Sequence, residues 1–316
     1  MRVFKKTPAF RLEKTKMGWP TIVGAIGEYA IAVAVSQFEN RTTFWHFDLE
    51  LNLIEERTQV TDADAQLQVR RLSSLPDGRF LSSNIWGPSA FLHTSPIAFA
   101  EANFQIPADD KRNFRHRIPL GAWTIDDVVC VGYGAHLTTV YDFQSFLRFD
   151  KKLDMVLTEQ GGRDLENRVS ELGGFVTYLY VQAAAAHADG LTLVCKNIQR
   201  GGSSGHCFVR TNALCEATIW REDKDKLANA PLIEACAVGS DIGIYTKGSF
   251  CLLTSDLEIK LQMKDHPFFK SYQLLAGAQG KMLFSGIRKK QLILIEEQDL
   301  DFADLPGSFQ RIHRTF

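Results

Sequence analysis

The chain has 316 residues, 45% of them hydrophobic, and 36 basic residues nearly balance 37 acidic ones to give a net charge of −1. A chain of this length can bury a large core, so it predicts one or two globular domains rather than a disulfide-held or disordered protein. Because the charges balance, no long-range field draws the protein to DNA, RNA or anionic membranes, and we expect neither as a partner.

Six cysteines are scattered along the chain, most of them inside apolar runs such as those around Cys130 and Cys195. This pattern indicates free, buried thiols in a reducing compartment, and we expect a cytoplasmic location. Zinc could use Cys195, His206, Cys207 and Cys215, but no Cys-x-x-Cys pair occurs among them. The sequence therefore predicts no metal site and no cofactor.

The first apolar segment, 21–35, follows a basic stretch over 1–18 and ends in an Ala-x-Ala pattern typical of a signal peptide. Glu28 lies at its centre, which favours a β-hairpin that turns at Gly27 and Glu28. The signal peptide stays the alternative. No other stretch approaches the length that a membrane-spanning helix needs.

A second kind of hairpin recurs, most clearly as Phe-Trp-His-Phe-Asp-Leu-Glu-Leu around Asp48 and Phe-Leu-Arg-Phe-Asp-Lys-Lys-Leu around Asp150. Looser copies lie at 91–95, 208–212, 251–255 and 292–297. Each copy is an apolar strand, a polar turn and a second alternating strand, which is the sequence pattern of a hairpin.

Short turns that separate two apolar runs alternate with these hairpins. Asp-Gly and related pairs favour two-residue turns, because such turns need positive φ angles that Gly, Asn and Asp tolerate. These turns are Gly27-Glu28, Asp77-Gly78, Asp126-Asp127, Asp189-Gly190, Ser240-Asp241 and Gln279-Gly280. Six turns and six hairpins in alternation predict six units of four antiparallel strands.

Repeated four-stranded units resemble the β-propeller fold over about 21–298, although no unit carries a Trp-Asp dipeptide, a double-Gly kelch signature or a repeated Ca²⁺ loop. The resemblance implies an all-β, single-domain protein over 1–316 with six blades. Segments 8–13 and 308–316 both alternate like outer strands, so the N- and C-terminal strands are expected to pair and close the ring. A seventh blade built from these ends, or a double sandwich, remains an alternative.

Three segments between the hairpins have less certain structures. Segment 161–171 is predicted to hold a helical turn, because it is rich in Glu and Arg. Segment 182–187, Gln-Ala-Ala-Ala-Ala-His, favours a helix by propensity, but the Asp189-Gly190 turn directly after it favours a strand. Segment 222–230 is predicted to be a solvated loop or a short helix.

Function is expected on the face that carries the longer connections, because loops held by a rigid scaffold concentrate binding and catalytic groups. The longest predicted loop within a unit, 132–145, contains Tyr133, His136, Tyr141 and Asp142. If the protein is an enzyme, we expect His136 to act with Asp142 or His206 as acid and base. The Gly-x-Ser-x-Gly match at 201–205 lacks the strand-to-helix context of a nucleophile and is interpreted as a flexible loop.

Aromatic and Arg side chains in the predicted loops are candidate anchors for a partner protein, because these residues dominate binding hot spots. The candidates are Trp86, Phe114, Arg115, Tyr133, Tyr141, Arg200 and Arg288, with Phe268 and Phe269 as further exposed aromatics. The basic run around Phe114 could stack on single-stranded nucleic acid, but adjacent acidic residues favour a protein contact.

With no convincing catalytic set, the sequence favours a non-catalytic protein-binding propeller: an adaptor, an inhibitor or an immunity-type neutraliser. The alternative is a lyase or hydrolase that acts on a sugar or lactone in the central funnel.

Overall fold

The structure is a computed structural model of the chain. It describes residues 5–8, 21–37, 41–60, 69–74, 80–84, 89–93, 102–105, 117–125, 128–137, 140–149, 155–174, 176, 178–198, 204–212, 216–227, 233–286 and 291–296. Strands dominate this part of the chain, and two helices interrupt them.

The strands are numbered in chain order. The first twelve are β1 (Lys5–Lys6), β2 (Thr21–Ile26), β3 (Ile31–Gln37), β4 (Arg41–Phe47), β5 (Leu53–Val60), β6 (Val69–Ser74), β7 (Phe80–Asn84), β8 (Ser89–His93), β9 (Ala102–Gln105), β10 (Arg117–Ile125), β11 (Val128–Leu137) and β12 (Val140–Phe149). After β13 (Met155–Gly161) the helix α1 (Gly162–Glu171) follows, and then β14 (Tyr178–His187), β15 (Gly190–Ile198), β16 (Ser204–Thr211), β17 (Ala217–Glu222), β18 (Ile233–Val238), β19 (Asp241–Thr246), β20 (Ser249–Leu253) and β21 (Ile259–Met263). The last elements are α2 (Pro267–Ser271), β22 (Tyr272–Ala278), β23 (Lys281–Gly286) and β24 (Leu292–Glu296).

These strands form four-stranded antiparallel sheets in simple succession, which we number by chain order. Sheets 1 to 5 have the orders β2-β3-β4-β5, β6-β7-β8-β9, β10-β11-β12-β13, β14-β15-β16-β17 and β18-β19-β20-β21. The first strands contact one another cyclically, β2 with β6, β6 with β10, β10 with β14, β14 with β18, β18 with β22, and β22 with β2. The protein is therefore an all-β propeller of four-stranded sheets.

The sixth sheet contains both ends of the described chain. Its order is β22-β23-β24-β1, and Lys5 pairs with Leu294 while Lys6 pairs with Ile293. Thr7 extends the contact, because the Leu292 N–H donates to its Oγ1 at 3.0 Å. The predicted closure by N- and C-terminal strands is confirmed, although it uses β1 and β24. Of the segments expected to do this, 9–13 and 308–316 lie outside the described residues.

The core lies between neighbouring sheets, where small residues let the first strands approach closely. A Cβ added to Gly277 of β22 would lie 2.4 Å from Cβ of Cys236 in β18. A Cβ added to Gly24 of β2 would lie 3.0 Å from Cδ2 of Leu283. Carbon atoms that are not bonded to each other do not approach to 2.4 Å. β18 and β22 can therefore pack this closely only because residue 277 has no side chain.

A short turn connects strands 1 and 2 at each predicted position that is described, but only Gln279-Gly280 is the two-residue turn as predicted. Two turns lie one residue earlier, since His187 pairs with Gly190 and Val238 pairs with Asp241, and the first is a four-residue loop between Ile26 and Ile31. Gln279 and Gly280 have φ angles of +52° and +68°, as expected for a tight hairpin turn. At Gly190 the reason for glycine differs, because a Cβ there would lie 1.8 Å from the carbonyl oxygen of Thr211. The turns at Asp77-Gly78 and Asp126-Asp127 lie outside the described residues.

Five of the recurring hairpins connect strands 3 and 4, whereas β24 at 292–296 pairs with β1 instead of a following strand. Two of the five share one loop geometry. Asp48 accepts the N–H of Asn52 at 2.8 Å, and Thr254 accepts the N–H of Glu258 at 3.1 Å, each four residues on. The fourth loop residue is leucine in both, Leu51 with φ +63° and Leu257 with φ +62°. Both leucines are buried, so apolar packing offsets the unfavourable left-handed backbone.

Other sequence predictions had mixed outcomes. Segment 182–187 is a strand within β14, as predicted from the turn that follows it. The helical turn expected in 161–171 is a helix of ten residues, α1. In segment 222–230, Glu222 ends β17 and 223–227 form a loop. No helix in the described ranges has the length and apolar character that a bilayer crossing requires.

Candidate functional site

In this topology the turns between strands 1 and 2 and between strands 3 and 4 lie at one end of the sheets, here called the tight-turn face. The connections between strands 2 and 3, and those between sheets, lie at the other end, here called the long-loop face. The described part of the long-loop face belongs mainly to sheets 4, 5 and 6 and includes both helices. Five predicted anchors, Trp86, Phe114, Arg115, Arg200 and Arg288, lie outside the described residues.

The predicted loop 132–145 is wrong, because this stretch forms the ends of β11 and β12. The two strands pair as far as Leu137 and Val140, and a bulge near Tyr133 and Gly134 absorbs one extra residue. Alternating apolar residues continue through the polar stretch, so the ladder extends where the polar side chains suggested a loop.

The pairing places the candidate residues of this stretch in defined rungs. His136 pairs with Tyr141, and Asp142 pairs with Ala135. Positions 136 and 142 therefore occupy successive rungs, which a pleated sheet assigns to alternate faces. A joint acid–base role for His136 and Asp142 stays a prediction, as do the binding roles of Tyr133 and Tyr141.

His206 lies near the start of β16, opposite Lys196 of β15. Burial lowers the pKa of His206 below its usual 6.5, the Asp223 carboxylate acts in the opposite direction, and Lys196 lowers it further. The Asp223 N–H donates to the carbonyl oxygen of His206 at 2.8 Å, and its carboxylate accepts the Leu227 N–H at 2.9 Å. His206 is thus a half-buried, neutral imidazole at pH 7 that could accept a proton.

Three of the four residues considered for zinc are described. Cys195 and Cys207 are paired across β15 and β16, and both are fully buried in the core of sheet 4. A hydrogen bond with Cys207 and burial together hold the pKa of Cys195 well above that of an ordinary thiol, so it is protonated at pH 7. Cys215 lies outside the described residues, and no three metal-ligating side chains cluster among those that are described.

The connection between sheets 5 and 6 is held by its own polar groups. His266 caps α2, because its Nδ1 accepts the Phe268 N–H at 3.2 Å. The Gly248 N–H, from the turn between β19 and β20, donates to the Phe269 carbonyl at 3.1 Å, and Gly248 accepts the His266 N–H at 2.9 Å. The Tyr245 hydroxyl donates to the same Phe269 carbonyl at 3.1 Å. These bonds fix the turn and the helix to each other.

Phe268 and Phe269 were predicted to be exposed anchors, and this is wrong, since both are completely buried. The ring of Phe269 stacks on Phe250 at 5.2 Å, and that of Phe268 stacks on Tyr272 at 4.7 Å. Because α2 turns both phenylalanines inward between sheets 5 and 6, they form the aromatic core beneath the long-loop face.

Exposed lysines lie in the described connections of sheet 5 on the long-loop face. We call them the lysine rim: Lys224, Lys226, Lys247, Lys264 and Lys270. Three exposed acidic residues accompany them, Glu222, Asp225 and Asp265, and Asp265 is paired with Lys270 at 2.8 Å. With the buried Asp223 included, five lysines stand against four carboxylates, so these described residues carry an excess of one positive charge.

Sequence reasoning missed both α2 and the lysine rim. A helix start was signalled by Pro267 directly after a residue that can cap, since proline suits the first helical position. The rim could not be recognised in the sequence, because its lysines come from three separate connections that only the fold places on the same face.

No protein-family model matches the chain, and no curated protein matches it in sequence. Solved structures are similar in fold. A gluconolactonase from Xanthomonas campestris matches with a TM-score of 0.54 and 11% identity, over 93% of this chain and 97% of that chain. The β-propeller domain of a protein from Myceliophteria thermophila matches with a TM-score of 0.50 and 10% identity, over 91% of this chain and 99% of that one. Chaetomium thermophilum Raptor matches with a TM-score of 0.52 and 6% identity, over 88% of this chain and 23% of that one. At these identities the likeness shows the β-propeller fold alone.

Proposed function

We propose that the chain is a six-bladed β-propeller that binds another protein through the lysine rim on its long-loop face. The cyclic contacts among the first strands of the six described sheets support six blades rather than seven. The partner would present an acidic surface, and the propeller would serve as an adaptor, an inhibitor or an immunity-type protein in the cytoplasm.

The observation that carries this proposal is the rigid base under the rim. Lys247 precedes Gly248 in the turn that is bonded to α2, and Lys270 lies within α2 itself. The Lys270 stem packs over Gly248, whose φ of +93° only glycine adopts readily. Charged groups on a fixed scaffold lose little conformational entropy on binding, and they speed and orient the encounter with a complementary surface.

The polar side chains beneath the rim already serve the fold. His266 caps a helix, the Tyr245 hydroxyl holds a backbone carbonyl, and Asp223 holds the loop after β17. An enzyme needs several polar groups that converge on one substrate position, whereas a docking surface needs a stable, broad patch. The described part of the long-loop face has the character of a docking surface.

Affinity capture from the native cells tests the proposal, with mass spectrometry to identify a stoichiometric partner and titration to measure its affinity. We expect the double variant Lys247→Glu/Lys264→Glu to weaken binding at least tenfold. Asp256→Lys is the matched control, because Asp256 is an exposed residue of the same sheet on the tight-turn face. Equal affinity for the wild type and the rim variant would contradict the proposal.

A second function is favoured by one observation, the half-buried neutral imidazole of His206 beside Asp223. We propose as the alternative a lyase or hydrolase that acts on a sugar or lactone, with His206 as the base. The gluconolactonase of similar fold makes lactones the first substrates to assay. Lactone hydrolysis that is lost in His206→Gln, with the fold intact by circular dichroism, would favour this alternative. Hydrolysis equal to the uncatalysed rate would remove it.

A further inference from the structure

Strand β5 is the outer strand of sheet 1, and it is unusually open. All residues from 52 to 58 are exposed, on both faces of the strand. The corresponding outer strands β17 and β21 are mostly half-buried. Among the described strands only β4 pairs with β5, so one edge of this eight-residue strand has no described neighbour.

The open edge begins with two apolar side chains. Leu53 is 53% exposed and Ile54 is 56% exposed, and they are two of the four large hydrophobic residues exposed in the described chain. A β-bulge lies at this point, because Phe47 pairs with Leu53 and His46 pairs with Glu55, which leaves Ile54 as the extra residue. Sheet edges are normally protected by charge, proline or cover, and an open edge with apolar residues can accept another strand.

The charges on β5 argue against a second copy of this chain as that strand. The N–H and C=O groups that can reach a new strand belong to every second residue of β5. Two copies of β5 related by a two-fold axis would therefore pair about one residue, which would lie opposite the same residue of the other copy. The four central residues are Glu55, Glu56, Arg57 and Thr58. A pairing centred on any of the first three would place like charges directly opposite each other, which is destabilising.

Acidic residues prevail around this edge and favour a basic strand instead. Glu55 and Glu56 outnumber Arg57, and the adjoining turn adds Asp48 and Glu50. Glu50 forms an ion pair with Lys5 at 2.6 Å, and the Asp48 carboxylate accepts a hydrogen bond within its own turn. Both glutamates of β5 are exposed on the strand.

We infer that β5 is a docking edge that adds an extended, basic segment of another protein as a fifth strand of sheet 1. Backbone hydrogen bonds supply the pairing, Leu53 and Ile54 contact apolar residues of the added segment, and Glu55 and Glu56 attract Lys or Arg at the facing positions. This edge is distinct from the lysine rim, so the inference goes beyond the proposed function and does not depend on it.

Two fluorescein-labelled peptides of eight residues test the inference, alternating Lys-Val and alternating Glu-Val, with binding followed by fluorescence anisotropy. We expect the Lys-Val peptide to bind at least tenfold more tightly to the wild type than to Glu55→Lys/Glu56→Lys. Thr218→Lys is the matched control, because Thr218 is an exposed residue of the outer strand β17. This control should leave the affinity for the Lys-Val peptide unchanged.

Hydrogen exchange distinguishes strand addition from general charge attraction. The Lys-Val peptide should slow exchange of the amides in 53–60 and should lose this effect in Leu53→Lys/Ile54→Lys, with circular dichroism to confirm the fold. Equal affinity for wild type and Glu55→Lys/Glu56→Lys would overturn the inference, and so would unchanged exchange of 53–60 in the wild type. If the Glu-Val peptide binds to the wild type but not to Lys247→Glu/Lys264→Glu, that binding is at the lysine rim. The two proposed binding surfaces are therefore tested independently.

Discussion

His187 is a buried titratable residue of the tight-turn face. It lies at the end of β14, is 8% exposed, and its Nε2 lies 3.0 Å from Thr192 Oγ1. Its Nδ1 has no hydrogen-bond partner among the described residues. Burial lowers the pKa of His187 from 6.5 to about 4, the Arg210 guanidinium acts in the same direction, and the Asp189 carboxylate opposes both.

Folding stability should therefore fall on acidification because of His187. The unfolded histidine binds its proton near pH 6.5 while the folded one stays neutral down to about pH 4, so the stability is present above 6.5 and is lost as the pH falls toward 4. A difference of this size corresponds to about 3 kcal/mol. Urea unfolding at pH 7 and pH 4.5 should show a smaller pH dependence in His187→Gln than in the wild type. Equal pH dependence would contradict this.

Among the described glycines, Gly277 is the one at which an added Cβ would come closest to a neighbouring sheet. An alanine Cβ would lie 2.4 Å from Cβ and 2.5 Å from Sγ of Cys236. We expect Gly277→Ala to lower the free energy of unfolding by about 1–3 kcal/mol, because overpacking forces the strands apart. Gly205→Ala is the control, since a Cβ there meets nothing within 4 Å. Urea unfolding compares the two, and a similar loss in both variants would show that the clash is not the cause.

At the scale of elements, the loops between strands 3 and 4 combine a strained backbone with apolar packing. Leu257 has a φ of +62° and is completely buried between sheets 4 and 5, where it belongs to the same core as Phe208 and Ile242. Sheet 4 also bonds this loop, because Arg221 Nη1 donates to the Leu257 carbonyl at 2.7 Å. The loop of sheet 5 is thus a contact between blades, as well as a turn.

Substitution by glycine separates the strain from the packing. Lys226 has a similar φ of +55° but is exposed, so Lys226→Gly relieves the left-handed strain and should stabilise the fold by up to about 1 kcal/mol. Leu257→Gly relieves the same strain but removes a buried side chain, and it should destabilise by about 2–4 kcal/mol. Thermal and urea unfolding check the opposite signs. A gain of stability in Leu257→Gly would contradict the packing role.

The elements that the sequence predicts well are those with local causes. The turn at Gln279 and Gly280 is fixed by its two residues, and the loop at Asp48 is fixed by bonds within five residues. The strand at 182–187 was predictable for the same reason, because the adjacent turn outweighs the helix propensity of four alanines. Local hydrogen bonds and φ preferences therefore made most of the strands and turns predictable from the sequence.

The candidate site was harder to predict because it depends on contacts between residues that are far apart in the sequence. Phe268 and Phe269 follow a polar stretch and would suit an exposed loop, yet α2 turns both rings into the gap between two sheets. The polar side chains of 132–145 similarly concealed a continuous ladder. The lysine rim combines three connections, so its charge exists only after the blades have been placed.

At the scale of the whole molecule, the ring is closed by a short piece of chain. β1 supplies two residues of pairing to β24, and Thr7 adds a backbone and a side-chain bond around Leu292. Gln291 Nε2 donates to the Thr7 carbonyl at 2.7 Å, and Lys5 bonds Glu50 of sheet 1 at 2.6 Å. These contacts join the first described residues to the last sheet and to the first.

Removal of residues 1–7 tests whether this closure holds the propeller together. The deletion leaves β24 as an open edge of the sixth sheet and breaks the contact between Lys5 and Glu50, so we expect a lower unfolding midpoint and concentration-dependent self-association. Lys5→Ala/Lys6→Ala keeps the backbone pairing and loses the ion pairs of Lys5 with Glu50 and Glu296, each worth about 0–1 kcal/mol, so it should stay monomeric and nearly as stable. Urea unfolding and analytical ultracentrifugation measure both effects. If the deletion variant matches the double alanine variant, the pairing of β1 contributes nothing to closure and the ring is held by the contacts between its sheets.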